Sequence, residues 1–255
     1  MKFGGASVAT PECFSQIAAL IAVRLQEHKQ VAVVVSAMAD TTDRLLDLAH
    51  QIHPNPPKRE LDMLVSVGER ISIALLAMAL SLQGIEAISF TGSQSGIITC
   101  ENHADAKIVA VRPHRLLPVL EKGQVVIVAG FQGVSRKGEI TTLGRGGSDT
   151  TAVALAVALG ASLVEFYKDV SGIFTADPKK DPSAQLLSEL SFADALDLIV
   201  QTGAKILHPR SIALAAKNGI ALSIYSFLHP QEGGTKIGWG EKKRNESMLF
   251  EHEVI

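Results

Sequence analysis

Aromatic side chains are scarce in this chain: they make up 5% of its 255 residues, while hydrophobic residues overall reach 47%. The apolar content is therefore mostly Ala, Val, Leu and Ile, the mixture expected of a parallel sheet covered by helices. Cysteine occurs twice, as Cys13 and Cys100, which offers neither a disulfide framework nor zinc-ligand spacing. A reducing, cytosolic setting is the expectation. The eight histidines include no HExxH pair. Net charge is −2, and no block of like charge occurs before Lys242-Lys243-Arg244. That argues against nucleic-acid binding by bulk charge, and the basic triplet reads as a solvated linker. The longest uncharged runs, residues 71–85 and 150–164, have 15 residues each, short of a membrane span. No secretory leader is expected ahead of Met1. The familiar phosphate fingerprints are missing as well. There is no GxxxxGK-S/T string, and Gly144-Arg145-Gly146-Gly147 does not fit GxGxxG.

What is present centres on Thr141-Thr142-Leu143-Gly144-Arg145-Gly146-Gly147-Ser148-Asp149-Thr150-Thr151. Three glycines, an arginine, an aspartate and several hydroxyls stand before an apolar run, 152–160, that reads as a buried helix. Ser148 or Asp149 is the expected N-cap, because either side chain can accept a free first-turn N–H. A glycine-rich turn entering a helix presents backbone N–H groups and the positive end of the helix dipole, which suits an anion. Arg145 adds a planar fork that can grip a carboxylate. The plainer alternative is a glycine turn with a capping aspartate.

The chain opens on Lys2-Phe3-Gly4-Gly5, and Thr10-Pro11-Glu12 is a helix start. A buried first strand should run about five residues, yet one residue precedes Lys2, so this strand is stunted or clipped. Strands are predicted at 31–35, 87–90, 96–100, 125–129, 163–167 and 220–225. A hairpin is predicted over 134–142, turning at Lys137-Gly138. Helices are predicted at 43–52, 59–83, 192–201 and 210–217. Helix and turn signals fill the stretch from 101 to 123. The alternation implies a three-layer α/β/α sandwich with a mainly parallel sheet. Polar loops follow Phe3, Val35, Ala129 and Tyr167. In open α/β sheets ligands bind beyond the carboxyl ends of strands. Glu69 lies between apolar flanks, where a surface or ion-pair role is the ordinary alternative; Gly68 beside it signals close approach by another element.

Nine separated motifs resemble aspartokinase, a member of the amino acid kinase superfamily, and they occur in that family's order over residues 2–237. They are Lys2-Phe3-Gly4-Gly5-Ala6-Ser7, Val35-Ser36-Ala37-Met38, Gly68-Glu69, Gln94-Ser95-Gly96-Ile97, Gly130-Phe131-Gln132-Gly133, the Thr142 to Thr151 string, Asp169-Val170-Ser171-Gly172-Ile173-Phe174-Thr175-Ala176-Asp177-Pro178, the Gly203 to Pro209 string and Gly234-Thr235. The resemblance implies phosphoryl transfer from MgATP to the β-carboxylate of L-aspartate, the first step toward lysine, threonine and methionine. It implies that Lys2, with the Gly4 and Gly5 amides, meets the β- and γ-phosphates and that Asp149 organises the centre. Arg145 and Glu69 would hold the α-carboxylate and α-ammonium of aspartate, with Ser36 and Thr42 nearby. Lys168, Asp169, Phe174, Lys179 and Lys205 would line the ATP site. Mg²⁺ would ride on the nucleotide phosphates, with no protein metal cage.

Each role has a structural rival. Lys2 could be a surface residue, Arg145 could pair with Glu69, and Asp149 could be only a cap. His208 reads as a hydrogen-bonded structural residue. Lys168 stands where many relatives carry Thr, and Lys179 where many carry Arg. The implied organisation is a kinase domain over 1–240, with a substrate lobe over about 1–160 and a nucleotide lobe over about 161–240. Residues 241–255 are expected to be a linker toward a regulatory domain of the ACT type, onto which Met248-Leu249-Phe250 and Val254-Ile255 would dock. Dimerisation is common among such kinases and is expected. The competing readings are a glutamate, N-acetylglutamate or UMP kinase, and a non-catalytic binding module.

Overall fold

The computed structural model describes residues 1–178, 180–203, 206–238 and 248–251. The first half of the chain forms β1 (Lys2–Phe3), a 3-10 turn (Gly5–Val8), α1 (Pro11–Glu27), β2 (Ala32–Val35), α2 (Thr41–Ile52), α3 (Lys58–Val65), α4 (Val67–Leu82), β3 (Ala87–Phe90), β4 (Ile97–Thr99), β5 (Ile108–Val111), α5 (Leu117–Glu121) and β6 (Val125–Ala129). There follow β7 (Gln132–Ser135), β8 (Ile140–Thr142), α6 (Gly147–Leu159), β9 (Leu163–Lys168), β10 (Glu189–Leu190), α7 (Phe192–Thr202), α8 (Pro209–Asn218), β11 (Ala221–Ser226) and β12 (Gly234–Ile237). The main sheet has the order β10-β12-β11-β9-β1-β2-β6-β3. From β11 across to β3 every pairing is parallel, and β12 runs antiparallel to β11. A smaller sheet, β5-β4-β7-β8, stands apart.

Strand alternation builds two cores. Val34, Val126, Val128 and Phe166 point to one face and pack with α6, α7, α8 and the small sheet. Val33, Val35, Ile127, Ala129 and Tyr167 point to the other face and pack with α1 and α4. Side chains alternate faces along a strand, so a strand buried on both sides must be apolar at nearly every position. This accounts for the apolar runs seen in the sequence. It also makes Lys2 an anomaly, because it shares its register with Val34 and Phe166 in the middle of the sheet.

β1 is as short as the sequence implied. It is held by its neighbours: the Met1 ammonium donates to Ala32 O at 2.8 Å, and Val34 N donates to Met1 O at 2.9 Å. Phe3 is fully buried and stacks on Tyr167 with ring centroids 4.9 Å apart. Burial of such a ring contributes about 1.5–3 kcal/mol. Beneath Met1 lies a cavity of about 270 Å³, walled by Val31, Ala32, Leu155, Leu159, Leu163 and Val164.

The structure corrects several expectations. The helix predicted over 59–83 is two helices that meet at Ser66, whose carbonyl accepts from Gln132 Nε2 at 2.8 Å. The combined stretch Lys58–Leu82 is long and apolar enough to cross a membrane by length and composition. Here Ile73, Leu76 and Leu80 are core residues beneath the sheet. β5 falls where helix and turn signals were read; Ile108 and Val111 are buried as part of the small sheet. Neither Ser148 nor Asp149 caps α6. The cap position is Gly146, at φ +73°, and both polar residues lie inside the first turn. Of Met248-Leu249-Phe250, expected to dock onto a further domain, Leu249 and Phe250 are set against this one and Met248 is exposed. Val254 and Ile255 lie outside the described residues. Asn218 bonds both backbone groups of Leu249, at 2.8 and 2.9 Å, and Phe250 packs against the larger core.

Candidate active site

The loops after β1, β2, β6 and β8 converge beyond the carboxyl ends of the central strands. They enclose a cavity of about 300 Å³ lined by Lys2, Gly5, Ser36, Thr42, Glu69, Arg145 and Asp149, among others. Glycine makes this approach possible. A Cβ on Gly68 would lie 2.7 Å from Ala37 Cβ, and one on Gly130 would lie 2.7 Å from Ser148. Among the described residues, the non-glycine residues in the left-handed region are Ala39, Ala104 and Phe131. Ala39 and Phe131 line the cavity, and Ala104 O lies 3.0 Å from where a Cβ on Gly144 would be. Backbone strain of this kind persists where surrounding structure enforces it, and it clusters at functional sites.

The charges are arranged around Asp149. Lys2 Nζ lies 2.7 Å from Asp149 Oδ1, and Lys168 Nζ donates to both carboxylate oxygens at 3.2 and 3.1 Å. Burial alone would push the Asp149 carboxyl up. The two ammonium groups outweigh it and hold the group at about 2. Burial and the neighbouring Lys168 draw Lys2 down to about 8, against the pull of Asp149. One carboxylate thus holds two cations at the end of the sheet, and the pair retains positive charge to offer to an anion.

Glu69, in the first turn of α4, accepts from Ala37 N at 3.1 Å through Oε1. Its other oxygen, Oε2, is buried with no hydrogen-bond partner. Burial raises the Glu69 carboxyl to about 7, in spite of backbone N–H groups and the Lys2 charge that favour its ionised form. A buried, unsatisfied acceptor is costly, and a cation entering the cavity would satisfy it. Arg145 extends between Gly144 (φ +70°) and Gly146 (φ +73°). Its side chain is exposed, and among the described residues it makes no ion pair. The cavity therefore presents a carboxylate, a guanidinium and the Lys2 ammonium, with Lys168 reaching Asp149 from beside it.

The model of the amino acid kinase family matches residues 1–226. The chain belongs to the amino acid kinase family. It is 50% identical over 238 residues to the aspartokinase of Mycobacterium tuberculosis H37Rv, a match that covers 93% of this chain and 56% of that protein. The chain spans about half the length of the curated relatives it matches. Its fold is similar to that of the aspartate kinase from Synechocystis, with TM-score 0.84 and 46% identity over 96% of this chain and 40% of that one. It is also similar to Escherichia coli aspartokinase III solved in complex with aspartate and ADP, with TM-score 0.83 and 30% identity over 92% of this chain and 63% of that one.

Within this amino acid kinase fold, most of the expected site residues share one cavity. Gly4 adjoins it, since a Cβ there would lie 3.7 Å from Lys2 Nζ and 4.0 Å from Lys168 Cδ. Lys168, read from sequence as an ATP-site residue, is a direct partner of Asp149. Asp169 is exposed, and half-buried Phe174 forms an isolated bridge with Leu186; neither lines the cavity. Lys179 and Lys205 lie outside the described residues. His208 is structural in its contacts: it caps α8, and its Nδ1 accepts from Arg210 N at 3.3 Å. Burial, then Arg210, lowers its pKa. Among the described residues no cluster of three His, Cys, Asp or Glu side chains could hold a metal ion.

Sequence reasoning missed the supports behind the loop. Asp62 is fully buried. It accepts from Thr142 Oγ1 at 2.5 Å, lies 2.6 Å from His103 Nδ1 and takes the Ala104 N–H at 3.1 Å. A signal existed, an acidic residue in an otherwise amphipathic helix, but its partners are 41 and 80 residues away.

Proposed function

We propose that this chain transfers the γ-phosphoryl group of MgATP to the β-carboxylate of L-aspartate, giving L-4-aspartyl phosphate and ADP, the first step toward lysine, threonine and methionine. The observation that carries this reading is the Lys2–Asp149–Lys168 cluster sharing a crevice with the unpaired Glu69 Oε2 and with Arg145. An amino acid's ammonium and α-carboxylate match Glu69 and Arg145, which leaves its side-chain carboxylate facing the lysines. The complex of the Escherichia coli relative with aspartate and ADP supports this choice of ligands.

The β-carboxylate is already ionised at neutral pH, so no general base is needed. One of its oxygens forms the new bond to the γ-phosphorus, and the bond from that phosphorus to the β,γ-bridging oxygen breaks, its electron pair leaving with ADP. Asp149, held near 2 by two ammonium groups, is too weak a base to take part in proton transfer. Its task is to fix Lys2 and Lys168, which neutralise charge on the transferred group. Positioning and electrostatics then account for the acceleration. Lys168, Asp169, Phe174, Lys179 and Lys205 are assigned to the nucleotide, with residues 161–240 as the nucleotide lobe. Mg²⁺ bound to the phosphates would add charge neutralisation. Asp149 is committed to the two lysines, so the residues present fit a phosphate-borne ion and no direct protein cage.

The test is ATP- and Mg²⁺-dependent formation of aspartyl hydroxamate with hydroxylamine as trap, run beside L-glutamate. Product from aspartate alone is expected, with a fall of at least about a hundredfold in Lys2→Ala and Asp149→Ala. Product from glutamate instead would reassign the substrate. ATP binding without product from either amino acid would overturn the catalytic reading in favour of a binding module.

A further inference from the structure

The Arg145 loop is braced from behind by the start of α8. Arg210, the second residue of α8, sends Nη1 to Leu143 O at 2.6 Å and Nη2 to Ala106 O at 3.1 Å. Nη1 also reaches Asp105 Oδ1 at 3.4 Å. Glu251 closes the fork, taking Nε at 2.8 Å on Oε1 and Nη2 at 3.0 Å on Oε2. The five guanidinium donors are thereby all used, which a lysine could not reproduce. Glu251 is itself fastened to β5: its backbone N donates to Ile108 O at 2.9 Å, and its Oε2 accepts from Ile108 N at 2.9 Å. On the other side of the loop, the His208 ring occupies the space where a Cβ on Gly146 would be, at 2.2 Å. The start of α8 thus grips the loop at Leu143 and at Gly146, and Arg145 stands between these two holds.

We propose that Glu251 and Arg210 are positioning residues for the substrate-binding loop: Glu251 orients the Arg210 fork, and the fork sets the height of Arg145 over the cavity. The Arg210 side chain is only 18% exposed and that of Glu251 14%, so this charge pair is held in a partly desolvated place where its geometry is enforced. Among the described residues, the acid left near Arg210 without the Glu251 carboxylate is Asp105, whose side chain is 69% exposed. The fork would then turn outward and release Leu143 O. The inference rests on Arg145 as the carboxylate ligand of the proposed reaction. It implies that whatever displaces the segment around Glu251 changes affinity for the amino acid more than affinity for the nucleotide.

The experiment uses the whole chain with Glu251→Gln, Arg210→Lys and the double variant. In the hydroxamate assay KM for aspartate should rise about tenfold in each, KM for MgATP should stay within about twofold, and the double variant should be no worse than the worse single. In parallel, hydrogen exchange followed by mass spectrometry should speed up about tenfold in peptides covering residues 141–147, with peptides covering β9 unchanged. Unaltered exchange at 141–147, equal acceleration in both segments, or both KM values rising together would overturn the proposal. If the wild-type chain makes no aspartyl hydroxamate, the substrate reading fails by itself, and the exchange measurement alone decides the brace.

Discussion

Glu69 is kept in a condition that folding alone would not select. Its carboxyl is buried, one oxygen is unpaired, and burial lifts it from 4.5 to about 7. A carboxyl with a raised folded-state pKa favours the fold below its unfolded value, and that contribution disappears as pH climbs through the folded value. Ionised Glu69 therefore weakens the protein by about 3 kcal/mol above pH 7. Glu69→Gln should accordingly be more stable than wild type by urea unfolding at pH 8 and no more stable at pH 4. The same substitution should raise KM for aspartate about ten- to a hundredfold, the range for losing one charged hydrogen bond. In the wild-type chain, kcat/KM for aspartate at low MgATP should fall below pH 7 as Glu69 protonates. It should fall again above pH 8, where Lys2, lowered to about 8, loses its charge. An acid limb that persists in Glu69→Gln would remove Glu69 from ammonium binding. Lys2, Ser36, Thr42, Glu69, Arg145 and Asp149 are reached from the sequence through its resemblance to aspartokinase, and the fold lines one cavity with them. Asp62, Arg210 and Glu251 are not, because each looks like an ordinary surface charge until the fold brings distant carbonyls to it.

At the scale of the element, α6 shows what sequence patterns capture and what they miss. Its buried apolar body and its glycine-rich entry are both readable. Its cap is not, since Ser148 and Asp149 are good capping types that the structure uses elsewhere: Asp149 faces the lysines, and Gly146 takes the turn. Gly146→Ala should test how tightly that turn is specified. The new Cβ would meet a left-handed φ and the His208 ring together, so a loss of about 2–4 kcal/mol in unfolding free energy is expected. Aspartate binding should weaken in the same variant, by calorimetry, because Arg145 is next in the chain. A stable variant with normal binding would mean that His208 moves freely. β5 escapes the sequence reading for a different reason. Four apolar residues without alternation fit a short strand or a helix turn equally well, and only pairing with β4 decides. The break at Ser66 depends likewise on a tertiary bond, from Gln132.

For the molecule as a whole, the α/β/α layering follows from composition and alternation, and the structure agrees. Strand order is less accessible, because β1 sits between β2 and β9, whose residues are far apart in the sequence. This placement gives the large sheet a seam. On one side lie β2, β6 and β3; on the other lie β9, β11 and β12; they are joined through β1 by the registers of Lys2 and Phe3. α6 spans the seam on one face. The proposed catalytic lysine is therefore also one of the two residues of the strand that joins the halves within the sheet. On slow heating, phosphoryl-transfer activity and amide protection at β1 should be lost together, some degrees before the circular dichroism of the flanking halves collapses. Loss of all three signals at one temperature would show that the seam is as strong as the halves. If activity and protection are lost first, heat inactivation begins as a parting along the middle of the sheet, and the proposed phosphoryl transfer stops while both halves are still folded.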